Sequence, residues 1–354
     1  MCRLPLRCQP VCMSLMSLSV SCPQMKPVAL WPRLLVSLLV LATSASVDVR
    51  CARPFRLLAW NVENLFDTRH DEGFDDAEFL PDGPRQWTPS RYWRKLKDIA
   101  RVIAGEDLDV PLPDVIGLCE VENDSVLETL THRSPLRALG YEYIVTHSAD
   151  ARGVDVGFLY QPTRFRLLEH HSLRVPSQRY RLRPTRDILY VKGLVQVTSR
   201  DQQHTSMLDT LHIFVVHLPS RAGGYTGDRN RNIAAATLWS AVDSLQAQGT
   251  DRIVVMGDFN ADAHDRIFRN APLKLTDAPD ADGTYCYRGF WQWIDHILVS
   301  PDVTTLSPAT PLALPWLLED DKTYGGLMPF RTYRGPTYHG GVSDHLPLLI
   351  DLQF

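Results

Sequence analysis

Cysteine is scarce where it would matter. Of seven in 354 residues, Cys2, Cys8, Cys12 and Cys22 lie at the extreme N-terminus. Cys51, Cys119 and Cys286 remain, an odd and widely spaced set that excludes a disulfide framework as the basis of the fold. One Cys51–Cys286 bridge is the pairing to look for, and Cys119, ending an apolar run, reads as a buried thiol. No internal repeat and no interdomain linker is visible. The acidic segment 67–86 lacks the alternating D-x-D-x-D-G spacing of an EF-hand, so it reads as a solvated loop and not as a calcium site. Positive charge is also wanting: the formal net charge is −4, which excludes a global electrostatic sponge for nucleic acid. It does not exclude a nuclease with a local basic patch.

A long apolar span is missing as well. From Met25-Lys26 through Arg33 to the run 34–42, followed by Thr43-Ser44-Ala45-Ser46, the sequence has a positive start, an apolar centre and a small-residue cleavage zone. The run is too short for a stable membrane anchor. Residues 1–46 are therefore expected to be a signal peptide, with the true start possibly at Met25, and the protein to be secreted or periplasmic. That segment carries four cations and no acid, so its removal takes the net charge to −8. One domain, 52–354, is the simplest division of the rest, and a monomer is expected.

What the remainder does contain is a series of short apolar runs, each ending in a chemically capable residue. The central one is 253–256, broken by Gly257 and followed by Asp258-Phe259-Asn260. It reads as a buried strand whose end carries a carboxylate able to take a proton from water and an amide able to hold an oxygen. Similar strands at 55–60, 114–119, 211–216, 297–299 and 346–350 are flanked by Asn61, Glu120, His217, Asp295 and the pair Asp344-His345. Side chains at the strand ends of a layered α/β protein can converge on one rim. Further strands are expected at 141–146, 154–160 and 188–197. Thr88-Pro89 opens a helix over 89–104 with Trp93, Leu96, Ile99, Ala100 and Ile103 on its apolar face. Other helices are expected at 123–130 and at 229–245, the latter with Ile233, Ala236, Leu238, Ala241 and Leu245 inward. Segment 177–186, with Arg179, Arg181, Arg183 and Arg186 around Tyr180, reads as a solvated loop, with contact to a phosphate backbone as the alternative, and 219–224 as a loop whose glycines let amides approach an anion. Residues 307–341 read as one long loop.

Asn61-Val62-Glu63-Asn64-Leu65-Phe66-Asp67, Cys119-Glu120, Gly153-Val154-Asp155-Val156-Gly157, His217-Leu218-Pro219-Ser220, Gly257-Asp258-Phe259-Asn260, Ile294-Asp295 and Ser343-Asp344-His345 together resemble the endonuclease/exonuclease/phosphatase superfamily, in particular a secreted bacterial branch. The resemblance implies an α/β fold, a four-layer αββα sandwich with two mostly antiparallel mixed sheets. It also implies Mg²⁺, with Mn²⁺ or Ca²⁺ as alternatives, held by Glu120 and Asn61 with Asp344 serving the same region. Asp258 would activate the attacking water and Asn260 would hold it. His217 and His345 would donate to the phosphate, Asp295 would orient a histidine, and Arg221 would make a second phosphate contact. Two departures stand out: Cys119 where glutamine is frequent, and His296 where tyrosine is common.

The implied activity is metal-dependent hydrolysis of a phosphodiester, with nucleic acid as the expected substrate and Tyr333, Arg334 and Tyr338 offered as base-stacking and phosphate-gripping residues. A phosphatase or phospholipase C-type hydrolase of a small phosphoester or lipid headgroup is the alternative, although no amphipathic membrane-docking hairpin is evident. A catalytically dead binding module is disfavoured because Asp258 and His345 are both present.

Overall fold

The computed structural model describes residues 53–105, 111–198 and 206–354. The leader and Cys51 lie outside these residues. Cys119 and Cys286 are both free and buried.

Two apolar faces per sheet dictate a layered arrangement. The first sheet is built on β1 (Phe55–Leu65), whose first nine residues are all buried. It pairs in parallel with β2 (Val115–Val121) and antiparallel with the C-terminal strand β19 (Leu348–Gln353). Beyond β2 come β4 (Asp155–Tyr160) and then β3 (Glu142–Val145), both antiparallel. The short β13 (Thr304–Thr305) and β14 (Thr310–Pro311) complete the other edge on β19. The second sheet runs β5 (Arg166–Leu173), β6 (Ile188–Thr198), β7 (Ser206–His217), β8 (Ile253–Asp258), β12 (Asp295–Val299), β9 (Lys274–Leu275). All of its pairings are antiparallel except β7 with β8.

The inner faces meet in a core that includes Leu57, Ala59, Phe158, Ile213, Met256 and Ile350. Helix α1 (Pro89–Ala104) covers the outer face of the first sheet through Leu96, Ile99 and Ile103. Helix α3 (Gly224–Ala247) covers the second through Leu238 and Val242, which pack on Phe214, Val216 and Val255. The result is the expected αββα sandwich, poor in helix and rich in sheet. Among the described residues no helix is long and apolar enough to cross a membrane.

Several local expectations are corrected. In α1 the apolar stripe takes in Tyr92, while Trp93 is turned out to solvent and Lys95 is fully buried. Its ammonium survives there by donating to the Glu63 carbonyl and to Thr332 Oγ1. Helix α3 begins at Gly224, five residues early, so the expected glycine loop is a 3₁₀ turn, Arg221–Gly223, leading straight into it. Its inward face carries Ala235, Trp239 and Val242, and Ala236 is exposed. Helix α2 (Asp124–Glu128) is capped by Asn123 and widens into a π turn at Thr129–Arg133. Strand β5 was missed because it is an edge strand exposed along most of its length, with no inward alternation to see.

Residues 307–341 are not one loop. They hold β14, the hairpin of β15 (Leu318–Asp320) with β16 (Leu327–Pro329), and that of β17 (Tyr333–Arg334) with β18 (Thr337–Tyr338). A further hairpin, β10 (Tyr285–Tyr287) with β11 (Phe290–Gln292), precedes β12. Ladders of two or three residues are too short to show a period in sequence.

Candidate active site

Ladder register sets the chemistry side by side. His217 ends β7 opposite Asp258 of β8, and Asp258 stands opposite Asp295 of β12. Three titratable residues of the second sheet are thus abreast. The first sheet supplies the facing half. In β1 and β2, Asn61 is paired with Cys119, and both strands slip register immediately afterwards. The slip in β2 leaves Glu120 unpaired at φ +64°, and that in β1 puts Glu63 and Asn64 at φ +50°. Bulges at functional rims re-aim side chains in this way, and left-handed backbone at non-glycine residues is strain that the surroundings must hold.

The Ser343-Asp344-His345 loop is fastened beside them. Ser343 Oγ donates to the Asn61 carbonyl at 2.6 Å, Trp60 Nε1 donates to the His345 carbonyl at 2.9 Å, and the backbone of His345 bridges to Tyr285. Glu63, which the sequence reading passed over, ties in the approach to this loop by accepting from the amides of Thr332 and Tyr333 at 2.6 and 3.1 Å. Burial and the nearby Asp344 raise its carboxyl to about 7 despite Lys95.

These residues line one hollow of about 560 Å³, which brings together Asn61, Glu120, His217, Arg221, Asp258, Asn260, Asp344 and His345. Asp295 lies directly behind: its Oδ2 accepts from His345 Nδ1 at 2.7 Å and from Thr284 Oγ1 at 2.5 Å. Every site residue expected from the sequence is therefore in or against the same pocket. Arg152 and Arg186 line it too, and the sequence reading gave neither a role here. Arg186 is buried, donating to the Leu218 carbonyl at 2.9 Å and lying 3.3 Å from Asp150. Its place among four arginines of a polar segment disguised it as a surface charge.

The two imidazoles differ in kind. Burial opposes charge on His345, but Asp295, Asp344 and Asp258 outweigh it and hold the ring well above its ordinary value, hence cationic. Burial pushes His217 well below, helped by Arg186, Arg152 and His345, so it is neutral. Asp258 is raised to about 7 by burial and by Asp295, against the pull of His345 and the Asn61 amide. Asn61 Nδ2 donates to Asp258 Oδ2 at 3.0 Å, and the Asn260 amide N–H donates to Oδ1 at 2.8 Å, which fix the carboxylate's plane.

Two expected roles change on inspection. Arg221 donates to the Asn260 carbonyl at 3.0 Å and to Asp262 at 3.1 Å, so it braces the turn after β8 as well as facing the pocket. Tyr333 and Arg334 are not free to grip a strand. Tyr333 is buried with its hydroxyl donating to the Arg85 carbonyl, and Arg334 is paired with Glu319. Tyr338 packs edge-on against Tyr333 beneath the Arg91 guanidinium. The β10–β11 hairpin borders the pocket with Tyr287 and leaves Phe290 74% exposed. His296 points away from the pocket, wholly buried between Asp277 at 2.7 Å and the Ala261 carbonyl at 2.8 Å.

The oxygen donors on the first-sheet side fit a hard divalent cation. Glu120 Oε2 is held by the Asn64 amide at 2.8 Å, while its Oε1 accepts no hydrogen bond among the described residues and lies 3.8 Å from His217 Nε2. Asn61 Oδ1 accepts one bond, from the Glu63 amide, and keeps a second lone pair. Asp344 is half-buried with its nearest cations 3.9 and 4.0 Å away. Carboxylate and amide oxygens around an open hollow suit Mg²⁺, which retains several waters. Asp258, Asp295 and His345 form a second compact set of possible ligands. That set is already joined by the His345–Asp295 hydrogen bond, and a cation there would have to compete with an imidazolium.

Comparison with known proteins agrees with this fold. No curated protein matches in sequence. Among solved structures, the human Nocturnin catalytic domain with bound sulfate is 17% identical, with a TM-score of 0.53 over 85% of this chain and 94% of that one. A mannosyl-6-phosphatase of Bacteroides thetaiotaomicron is 16% identical, with a TM-score of 0.52 over 85% of this chain and all of that one. TDP2 from Caenorhabditis elegans is 12% identical, with a TM-score of 0.52 over 85% and 74% of the two chains. At these identities the likeness is one of fold. Residues 57–353 match the model of the Endonuclease/Exonuclease/phosphatase family, and the chain belongs to that family.

Proposed function

We propose that this chain is a secreted, Mg²⁺-dependent phosphodiesterase that cleaves nucleic acid by means of an activated water, a finer reading of the phosphoester hydrolase its family membership makes it. The observation that carries the reading is the pocket in which Asp258, a neutral and a cationic imidazole, three arginines and a set of oxygen donors meet. Asp258, held in plane and raised to about 7, takes the proton of the attacking water. Cationic His345, steadied by Asp295, faces the charge that gathers on the phosphoryl oxygens, and neutral His217 contributes one N–H. Arg152 and Arg186 anchor a non-bridging oxygen. Glu120 and Asn61, with Asp344 beside them, would hold the metal, which when bound neutralises phosphoryl charge. Secretion rests on the leader-like segment at 25–46.

A second reading, hydrolysis of a small or apolar-tailed phosphoester, is favoured by one feature, the exposed Tyr287 in the pocket wall with the exposed Phe290 as its cross-strand partner. Matched diester and monoester substrates decide between them under Mg²⁺, Mn²⁺ and Ca²⁺, with chelator as control. Metal-dependent cleavage of oligonucleotide is expected; release of phosphate from monoesters alone would reverse the order of the two readings.

A further inference from the structure

One hollow is larger than the catalytic one. It measures about 810 Å³ and opens between α3 and the segment after β5. Its walls carry Arg174, Arg229 and Arg266 and no acidic residue. Arg174 is paired with Asp187, whereas the guanidinium groups of Arg229 and Arg266 make no hydrogen bond or ion pair among the described residues. The acids closest in sequence, Asp228 and Asp265, face the buried guanidinium of Arg231 at 2.6 and 3.9 Å. The local field is therefore positive, against the sign of the whole chain. Two aromatic rings stand in the same walls, Tyr180 at 40% and Tyr225 at 81% exposure.

A second hollow, of about 570 Å³, is bounded by the same segment and the same end of α3. It holds Arg181 and Arg183 and shares Arg152, Arg186 and Ser220 with the catalytic pocket. Segment 177–186 is not a loose loop. Ser177 Oγ donates to Asn230 Oδ1 at 2.6 Å, and Asn230 Nδ2 donates to the Arg183 carbonyl at 3.0 Å, both from buried residues. Cations and rings are thus held on a fixed surface that leads away from the reacting centre.

We propose that this surface is a binding track for a single-stranded polynucleotide, which enters the catalytic pocket past Arg152 and Arg186. Guanidinium groups spaced along a groove engage successive phosphates, and exposed tyrosines stack on bases, which only an unpaired strand presents. Duplex or a non-nucleotide polyanion would leave the rings without use. The inference rests on the phosphodiesterase reading for the site, and deepens it to a substrate class.

The test uses the full chain and a fluorescein-labelled 20-nucleotide oligothymidylate. Binding is followed by anisotropy in chelator, so that no turnover intervenes, and hydrolysis of bis(p-nitrophenyl) phosphate is followed separately with Mg²⁺. Arg229→Ala/Arg266→Ala should weaken oligonucleotide binding about tenfold or more and flatten the slope of log K on log[salt] by about 1.4, at about 0.7 per phosphate. Tyr180→Ala/Tyr225→Ala should weaken it about tenfold with the salt slope unchanged. Both pairs should leave the small diester's hydrolysis at the wild-type rate. The track is refuted if either pair binds the oligonucleotide as wild type does, or if the small diester suffers equally. A wild type that hydrolyses no phosphoester would sink the catalytic reading instead, and the anisotropy would still decide the track.

Discussion

At the residue scale, the site works by giving chemically similar groups different charges. His345 and His217 line one hollow, yet Asp295 at 2.7 Å makes the first cationic, and burial beside two arginines keeps the second neutral. Asp258→Ala or His345→Ala should each reduce turnover at least about 10²-fold, the usual loss for a positioned acid–base or charge-stabilising group. Steady-state kinetics with circular dichroism as the folding control checks it; unchanged rates would mean the roles are misassigned. His296 offers a prediction about stability instead. Burial opposes its charge, but Asp277 and the Ala261 carbonyl outweigh it and raise its pKa above 6.5. The folded state therefore binds this proton more tightly than the unfolded chain does. Its contribution is full below pH 6.5 and is lost as pH rises through the folded value. Melting temperatures of wild type and His296→Gln should differ most in mild acid and draw together in alkali; a gap constant with pH would contradict the charged pair. The sequence made these acids, amides and imidazoles visible because each stands where an apolar run stops. It hid Arg186, since burial of an arginine is decided by distant partners such as the Leu218 carbonyl and leaves no mark on its neighbours, and it hid the exposed Arg152, whose place at the pocket is set by the fold alone.

At the scale of the element, the turn that follows β8 is set by Gly257. It lies at φ +133°, and a Cβ there would fall 2.1 Å from the Val216 carbonyl oxygen. Gly257→Ala must both strain the backbone and part β8 from β7, where His217 faces Asp258. We expect a loss of about 3 kcal/mol or more in chemical denaturation, together with lost activity. A variant as stable and active as wild type would show that the ladder tolerates displacement there. Strands such as β1, β2, β8 and the second half of β7 were legible because both their faces are buried and rich in apolar residues. The edge strand β5 and the hairpins β10–β11, β15–β16 and β17–β18 were not. Their pairing is fixed by the partner strand and by turn geometry, and their side chains are half-exposed and mixed.

At the scale of the whole molecule, the two sheets hold each other through a dry interior, and Met256 is at its centre. Its Cε would lie 2.9 Å from a Cβ at Gly117 of the facing sheet, so the fit there leaves no spare volume. Met256→Ala should cost about 2–5 kcal/mol, the range for truncating a large buried side chain. Near- and far-ultraviolet circular dichroism should lose their signals in one transition; two separate transitions would mean that the sheets fold independently. Chelator should abolish hydrolysis and Mg²⁺ restore it without a change in secondary structure, because the oxygen donors are braced by protein hydrogen bonds such as Asn64 to Glu120. Unfolding on chelation would instead make the metal part of the scaffold.

The Cys119 thiol donates across the layers to the Val216 carbonyl at 3.2 Å, one of the few polar ties between the leaves of the sandwich, and it sits one residue from Glu120 on one side and His217 on the other. The reacting groups are dealt out to both leaves, with His345 Nε2 and Asp258 Oδ2 4.0 Å apart across the join. A parting of an ångström or two would separate them while every ladder stayed intact. Catalysis is then a strain gauge for the closure of the sandwich, and warming or dilute urea should silence the enzyme well before the spectrum registers any unfolding.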